Sequence, residues 1–335
     1  MSSTIGDLVD RVYREYLEPV DKVESYSYLT GGIDASVTTI AYDDNLFSVE
    51  EEDALEAGAI VEVGQELMYT TAVNTVENNI TVKRGQRGTS ATAHSAGDMI
   101  KIAPAFPRKN VFDAVSDQIK NLYPTLFAVE TIELTASTGY KLLGTHGTDG
   151  DTYNYLVAPL KALSQYTDWQ SGSDQTGLKY NGVALEMIDL PNPFTYTDDT
   201  QTERTKTYTT GPDVVHAVQF VGISAGHTVF VTFKKKFIAP TAEANTLASV
   251  GLETEYEPIV MTGVAAQLMA GKDISKSNTS YITQQLESST FPVGSSNTIS
   301  QSLLRYQQLL IQQARSNLRS KYPEPVQLNS ILYPT

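Results

Sequence analysis

The chain has 335 residues, with 24 Lys and Arg against 39 Asp and Glu, so its formal net charge is −15. That balance excludes a protein that grips nucleic acid through a basic footprint, because affinity for phosphates comes from Lys and Arg displacing counterions. Cysteine is absent, which removes disulfides, thiolate nucleophiles and Cys-ligated metal centres.

The length predicts about two domains, and 41% hydrophobic with 19% charged residues falls slightly below ordinary globular usage, too apolar for a disordered chain and too polar for a membrane protein. No run approaches the ~18 apolar residues of a membrane span. The opening Met1 to Asp7 has neither the basic nor the apolar region of a signal peptide, which predicts a chain kept in the cytosol without membrane partners.

In chain order, Ile5, Leu8, Val9, Val12, Tyr13, Tyr16 and Leu17 recur at helical spacing, with Ser3 or Thr4 as N-cap and Pro19 beyond the end. From Tyr26 to Pro104 the period becomes strand-like, as in Val61-Glu-Val63, Ile80-Thr-Val82 and Ile100-Lys-Ile102, and predicts a small β-barrel or sandwich. A second helix carries Val111, Phe112, Val115, Ile119 and Leu122 and stops at Tyr123-Pro124.

Residues 130–238 alternate again and predict a larger β-sandwich, with Val214 to Phe220 and Val229 to Phe233 as two strands of a hairpin. After Pro240 the chain reads as helical. One helix starts near Pro258 and ends before Gly271, with Gly263, Ala265, Ala266 and Ala270 allowing close approach by another helix. A further helix is expected over 278–288 and a long one over 298–320.

The fold class these elements predict is α+β: a discontinuous helical hub (1–25, 107–129 and 240–320) with two inserted all-β modules (26–106 and 130–239) and an extended tail (321–335). In the long helix, Ile299, Leu303, Tyr306 and Leu310 follow one line, and Leu304, Leu309, Ile311 and Leu318 widen it. A face this wide predicts an assembly element built on Leu303, Leu304, Leu310, Ile311 and Leu318. In the tail, Pro323, Pro325 and Pro334 deny a helix. There Tyr322, Leu328, Ile331, Leu332 and Tyr333 supply the apolar surface of a docking arm.

Catalytic patterns are weak. Gly222-Ile-Ser-Ala-Gly226 has the form of a nucleophile elbow, but a strand rather than a helix is expected after Ser224, and no His follows His227. Gly85-Gln-Arg-Gly88-Thr89 lacks the Lys-Ser/Thr of a phosphate loop and reads as a turn. His94, His146, His216 and His227 lack the i, i+4 spacing of a helical zinc site. Asp149-Gly-Asp151 and Asp198-Asp199 lack the alternating ligands of a calcium loop. No cofactor and no enzymatic activity are expected.

The stretch Gly58 to Ile102 is the most distinctive. A strand carrying Glu66 and Tyr69 precedes Arg84-Gly85-Gln-Arg-Gly88-Thr89 and then His94-Ser-Ala-Gly97. This resembles a β module that recurs in virion proteins of tailed bacteriophages. Phe106-Pro-Arg-Lys-Asn-Val-Phe-Asp-Ala-Val115, Glu257 to Leu268 and the closing helix with Arg305-Tyr306 and Ala314-Arg315 resemble the helical parts of head-to-tail connector, or adaptor, proteins.

The resemblance implies a virion component assembled in the host cytoplasm. Its partners would be copies of itself in a ring, the portal, neck and tail proteins, and DNA passing through the lumen without specific binding. Another virion station, baseplate or tail, is the nearest alternative. A third reading makes the central sandwich a carbohydrate-binding or carbohydrate-cleaving domain, with Tyr153, Tyr155, Tyr166 and Trp169 as stacking residues and Asp168 or Glu186 as acids.

Overall fold

The computed structural model describes residues 3–17, 25–43, 55–135, 141–142, 156–167, 178–182, 184–191, 194–197, 203–206, 214–221, 226–279 and 295–322. The chain is mixed α+β and divides into two compact units, each built from discontinuous stretches. Unit 1 comprises Met1–Ile119, Ala239–Leu247 and Thr254–Leu310; unit 2 comprises Lys120–Ile238, Ala248–Glu253 and Ile311–Thr335. The sequence reading separates residues 26–106 from the helices, whereas the observed division places that β module and most of the helical residues together in unit 1. Among the described residues no helix is long and apolar enough to cross a membrane.

Unit 1 begins with helix α1 (Ile5–Val12). Thr4 Oγ1 accepts the Asp7 N–H while the Asp7 carboxylate accepts the Thr4 N–H, a reciprocal cap that satisfies two otherwise orphaned donors. Ile5, Leu8, Val9 and Val12 are buried on one face, and a π-helical turn over Tyr13–Leu17 extends the helix. Glu243 of the segment that returns after unit 2 accepts the Gly6 N–H through its backbone carbonyl, and Asn245 accepts that of Ile5.

The β module is one six-stranded antiparallel sheet of β1 (Tyr26–Tyr28), β2 (Thr39–Ala41), β3 (Ile60–Val63), β4 (Glu66–Asn74), β5 (Asn79–Lys83) and β6 (Met99–Ile102). Their spatial order is β1-β6-β3-β4-β5-β2. The sheet curls until its edges meet: Thr30 donates to Ala41 O at 3.2 Å and Asp43 to Tyr28 O at 2.9 Å. Curling leaves little open edge for a foreign strand to pair with. Alternate residues, Val61, Val63, Met68, Ile80, Val82, Ile100 and Ile102, fill the interior.

Helix α2 (Arg108–Asn121) follows β6. Its first N–H is accepted by the buried Glu62 carboxylate of β3 at 2.7 Å, so the sheet supplies the helix with an acceptor at its positive end. Helix α3 (Glu257–Thr279) starts as expected beside Pro258 but does not stop at Gly271, which lies within it. The helix expected over 278–288 falls outside the described residues beyond Thr279. Helix α4 (Ser295–Lys321) is the long closing helix.

The seam between α4 and α3 is not formed by the most regular apolar line of α4. The line Ile299, Leu303, Tyr306, Leu310 is not the buried one. Ser300 and Gln307 are buried instead, about 100° round the cylinder from Ile299 and Tyr306; in the part of α4 that belongs to unit 2, Ala314 and Leu318 are buried. Within unit 1 the seam is polar. Ser300 Oγ donates to Ala266 O at 2.8 Å, and Gln307 Nε2 donates to Ile259 O at 3.1 Å and to Gln118 Oε1 at 3.0 Å.

Gly263 and Ala266 explain why: small residues leave the α3 backbone accessible, and a helical carbonyl keeps a second lone pair for a side-chain donor. A Cβ at Gly263 would lie 2.2 Å from Gln307 Nε2 and 2.3 Å from Gln118 Oε1.

Among the described residues unit 2 contains three antiparallel sheets. The strands are β7 (Ala128–Thr135), β8 (Lys141–Leu142), β9 (Leu156–Thr167), β10 (Leu178–Gly182), β11 (Ala184–Pro191), β12 (Phe194–Thr197), β13 (Glu203–Lys206), β14 (Val214–Val221) and β15 (Thr228–Lys235). The sheet orders are β10-β9-β15-β7, β11-β14-β8 and β12-β13. β14 and β15 are strands, as alternation predicts, but they belong to different sheets, so the expected hairpin is a crossover. Alternation identifies a strand; it does not identify its partner.

The run Lys234-Lys-Lys236 is absorbed inside unit 2. Lys234 Nζ sits 4.6 Å from the Phe127 ring, Lys235 Nζ pairs with Glu130 at 2.8 Å and Lys236 Nζ lies 5.7 Å from the Tyr123 ring.

Gly263→Ala is expected to push the Gln307 and Gln118 amides apart. Losing two hydrogen bonds of about 1 kcal/mol each outweighs the up to ~1 kcal/mol that Ala gains over Gly in a helix. A thermal melt should show destabilisation by about 1 kcal/mol, a fall of roughly 2–4 °C.

Candidate functional site

The distinctive motif of the β module converges on one carboxylate. Glu66, the first residue of β4, has a fully buried side chain. Its Oε1 accepts Arg84 Nε at 2.7 Å and Gly85 N–H at 3.0 Å. Its Oε2 accepts Arg84 Nη2 at 2.8 Å and Thr92 N–H at 3.0 Å, and lies 2.9 Å from His94 Nε2.

Arg84 spends its remaining donors on three backbone carbonyls, Asp34 O at 2.8 Å, Val37 O at 2.9 Å and Thr92 O at 2.5 Å. The cluster thus ties the 33–38 loop and the 84–98 loop to the strands. The planar guanidinium meets the carboxylate with two parallel bonds, the geometry in which Arg is strongest.

Local sequence dictates the shape around it. Gly85 and Gly88 have φ of 60° and 82°, and a Cβ on Gly85 would lie 3.1 Å from Thr89 O and 3.2 Å from Ala91 N. Thr89 Oγ1 donates to Gln86 O at 2.8 Å and accepts the Leu67 N–H at 3.1 Å, closing the turn onto β4. His94 exchanges backbone hydrogen bonds with Ile33, at 2.8 and 2.9 Å, while its ring serves Glu66 and not a loop backbone.

Burial alone would raise the Glu66 carboxyl, but the bonds from Arg84, Thr92, His94 and Gly85 outweigh it and hold the group down to about 2 from an ordinary 4.5. Five donors occupy both oxygens. A carboxylate so saturated is a poor base and a poor nucleophile, and what it can do chemically is hold loops.

A second cluster, invisible in the sequence, joins the rest of unit 1. Arg108 Nε and Nη2 pair with the two oxygens of Glu243, both at 2.8 Å, and Nη1 reaches Asp10 at 2.6 Å. Gln65 Nε2 adds a bond to Glu243 Oε1 at 2.7 Å, and Arg11 of α1 pairs with the buried Glu257 that begins α3. Burial alone would lower the Arg108 pKa, but the bonds and charges of Glu243 and Asp10 raise it above its ordinary value.

The structure therefore brings Arg84, Gly85, Gly88, Thr89 and His94 together. It does not join them to the residues of α4, which form a separate feature. Leu318 is buried, Leu303, Leu310 and Ile311 are half-buried, and Leu304 is exposed. Tyr322 is half-buried, its N–H donating to Leu318 O at 2.8 Å. Leu328, Ile331, Leu332 and Tyr333 lie outside the described residues, as do Ser224, Tyr153, Tyr155, Asp168 and Trp169.

Among the described residues no group of three or more His, Asp and Glu is placed to hold a metal ion. No family model matches this chain, and no curated protein matches it.

Glu66 sets a pH dependence whose sign follows from its depressed pKa. Its contribution is present above about 4.5 and is lost as the pH falls toward 2. A shift of this size corresponds to about 3 kcal/mol. The melting temperature of unit 1 should fall over that acid range, and Glu66→Gln should lower it at pH 7 and flatten its acid dependence.

Proposed function

We propose that the chain is a structural subunit of a tailed-phage virion, most directly a connector that joins copies of itself into a ring between portal and tail. The observation that carries this reading is the saturation of Glu66. The motif by which the β module resembles virion proteins is spent on fastening loops, which is architecture, and it leaves no open acid, base or nucleophile. A protein whose most distinctive residues all serve rigidity is better suited to transmitting load and holding neighbours than to turnover.

The charge supports the same role. A lumen lined with carboxylates repels phosphate and lets DNA pass without gripping it. In this reading residues 130–239 are a β-sandwich insertion, and residues 321–335 are an extended arm that docks on the portal or on a neighbouring copy. The protein is non-enzymatic, takes no cofactor, and resides in the virion after assembly in the host cytoplasm.

Three experiments test it. Negative-stain microscopy of the purified protein should show rings or short stacks; monomers that bind glycans would overturn the proposal in favour of the carbohydrate reading. Phage lacking the protein should accumulate filled heads and separate tails. Deleting residues 322–335 should leave both units folded by circular dichroism yet abolish incorporation into particles, and normal incorporation would remove the arm from the account.

A further inference from the structure

Helix α4 differs in charge from the rest of the chain. It contains four of the 24 basic residues, Arg305, Arg315, Arg319 and Lys321, and none of the 39 acidic ones. All four are exposed. Its turns from Ile299 to Leu310 also carry an uncovered apolar line. Ile299 is 50% exposed, Tyr306 51% and Leu309 63%, while Leu303 and Leu310 beside them are half-buried. Arg305 stands one turn before Leu309, at the edge of this line. The inner side of the same turns is taken by Ser300 and Gln307, whose bonds to α3 and α2 leave the apolar line facing outward.

We propose that the line from Ile299 to Leu310 is the contact with a second copy of this chain, seated against a carboxylate-bearing face of that copy with Arg305 at the rim. The inference rests on the reading that the protein assembles with itself, and adds to it the surface and the symmetry. Charge complementarity chooses the occupant. An apolar line with a cationic rim is matched by an acidic surface, and outside α4 this chain carries 39 acidic residues.

The same charges fix the type of contact. Two α4 helices laid face to face would oppose like charges, so the interface is heterologous, α4 against a different surface of the neighbour. Heterologous contacts propagate into closed rings or open filaments rather than stopping at a two-fold dimer. A nucleic-acid strand is a worse occupant, because one cation along three apolar turns releases few counterions.

The test is sedimentation velocity of the full chain over a range of concentrations, with Tyr306→Asp/Leu309→Asp and Arg305→Glu beside the wild type. Because both apolar side chains are half exposed or more, the double variant should keep the wild-type circular dichroism and melting temperature. It should nevertheless self-associate at least about tenfold more weakly. Arg305→Glu should weaken association and reduce its sensitivity to salt, since a rim charge acts through screened, long-range attraction.

Wild-type association of both variants would overturn this surface while leaving self-assembly intact. A wild-type chain that stays monomeric throughout would overturn the surface and the ring reading together. A short DNA duplex that binds the wild type but not Arg305→Glu would overturn the choice of a second copy.

Discussion

Unit 1 depends on Arg108. This one side chain and its own N–H bond to residues of α1, of β3 and of the segment that returns after unit 2, and the principal partner, Glu243, is 135 residues away in sequence. Isolated ion pairs at the surface contribute little, but this guanidinium is mostly buried and meets Glu243 with two parallel bonds, the case in which such a pair fixes geometry. Glu62 stands at the positive end of α2 and Glu243 takes the guanidinium of the residue that opens that helix. The strands, the first helix and the returning chain are therefore all aligned to one helix start. A contact of such sequence separation carries a loop-closure entropy cost, which the paired bonds between Arg108 and Glu243 help to offset.

What the sequence makes legible is local. The Thr4 cap, the apolar spacing of α1 and α2, the alternation of β3, β5 and β6, Pro258 at the start of α3 and the turn glycines at 85 and 88 each follow from neighbours within a few residues. The pairing of Arg84 with Glu66 is legible too, because a short hairpin separates them.

What stays hidden is equally physical. Glu62 and Glu243 carry no local signal, since their partners are 46 and 135 residues distant. Gly271 resembles a helix stop, yet α3 continues through it, and one glycine in a helix interior costs only about 1 kcal/mol. β14 and β15 look like a hairpin because periodicity is silent about pairing. The buried face of α4 carries no apolar signal, because it holds Ser300 and Gln307, whose protons go to carbonyls of α3.

The two clusters divide the work of unit 1. The Glu66 latch is internal to the β module and fastens its two long loops, so the sheet keeps its shape whatever the helices do. The Arg108 cluster fastens that sheet to the helices. Each is a charged group surrounded by donors or acceptors that over-determine its position, which is the condition under which a buried charge adds specificity rather than strain. The Glu66 carboxylate has both oxygens occupied, whereas in the second cluster one buried oxygen, Glu257 Oε1, has no hydrogen-bond partner among the described residues.

The polar seam of α4 then decides what the molecule shows to its surroundings. A helix with a line of Ile, Leu and Tyr would ordinarily turn that line inward, where burial is favourable at about 25 cal/mol per Å². It does not do so here because the gap over Gly263 is sized for flat amide tips. Gln307 and Gln118 already stand where a single added methyl group would clash, and the ring of Tyr306 or the branched end of Leu310 has no room there. Rotation would also break the bonds from Ser300 to Ala266 O and from Gln307 to Ile259 O and Gln118 Oε1, at about 1 kcal/mol each. The rotation of α4 is thus fixed from the inside, by a glycine and two glutamines. The outward character of the helix is a consequence of how its opposite side packs on α3 and α2.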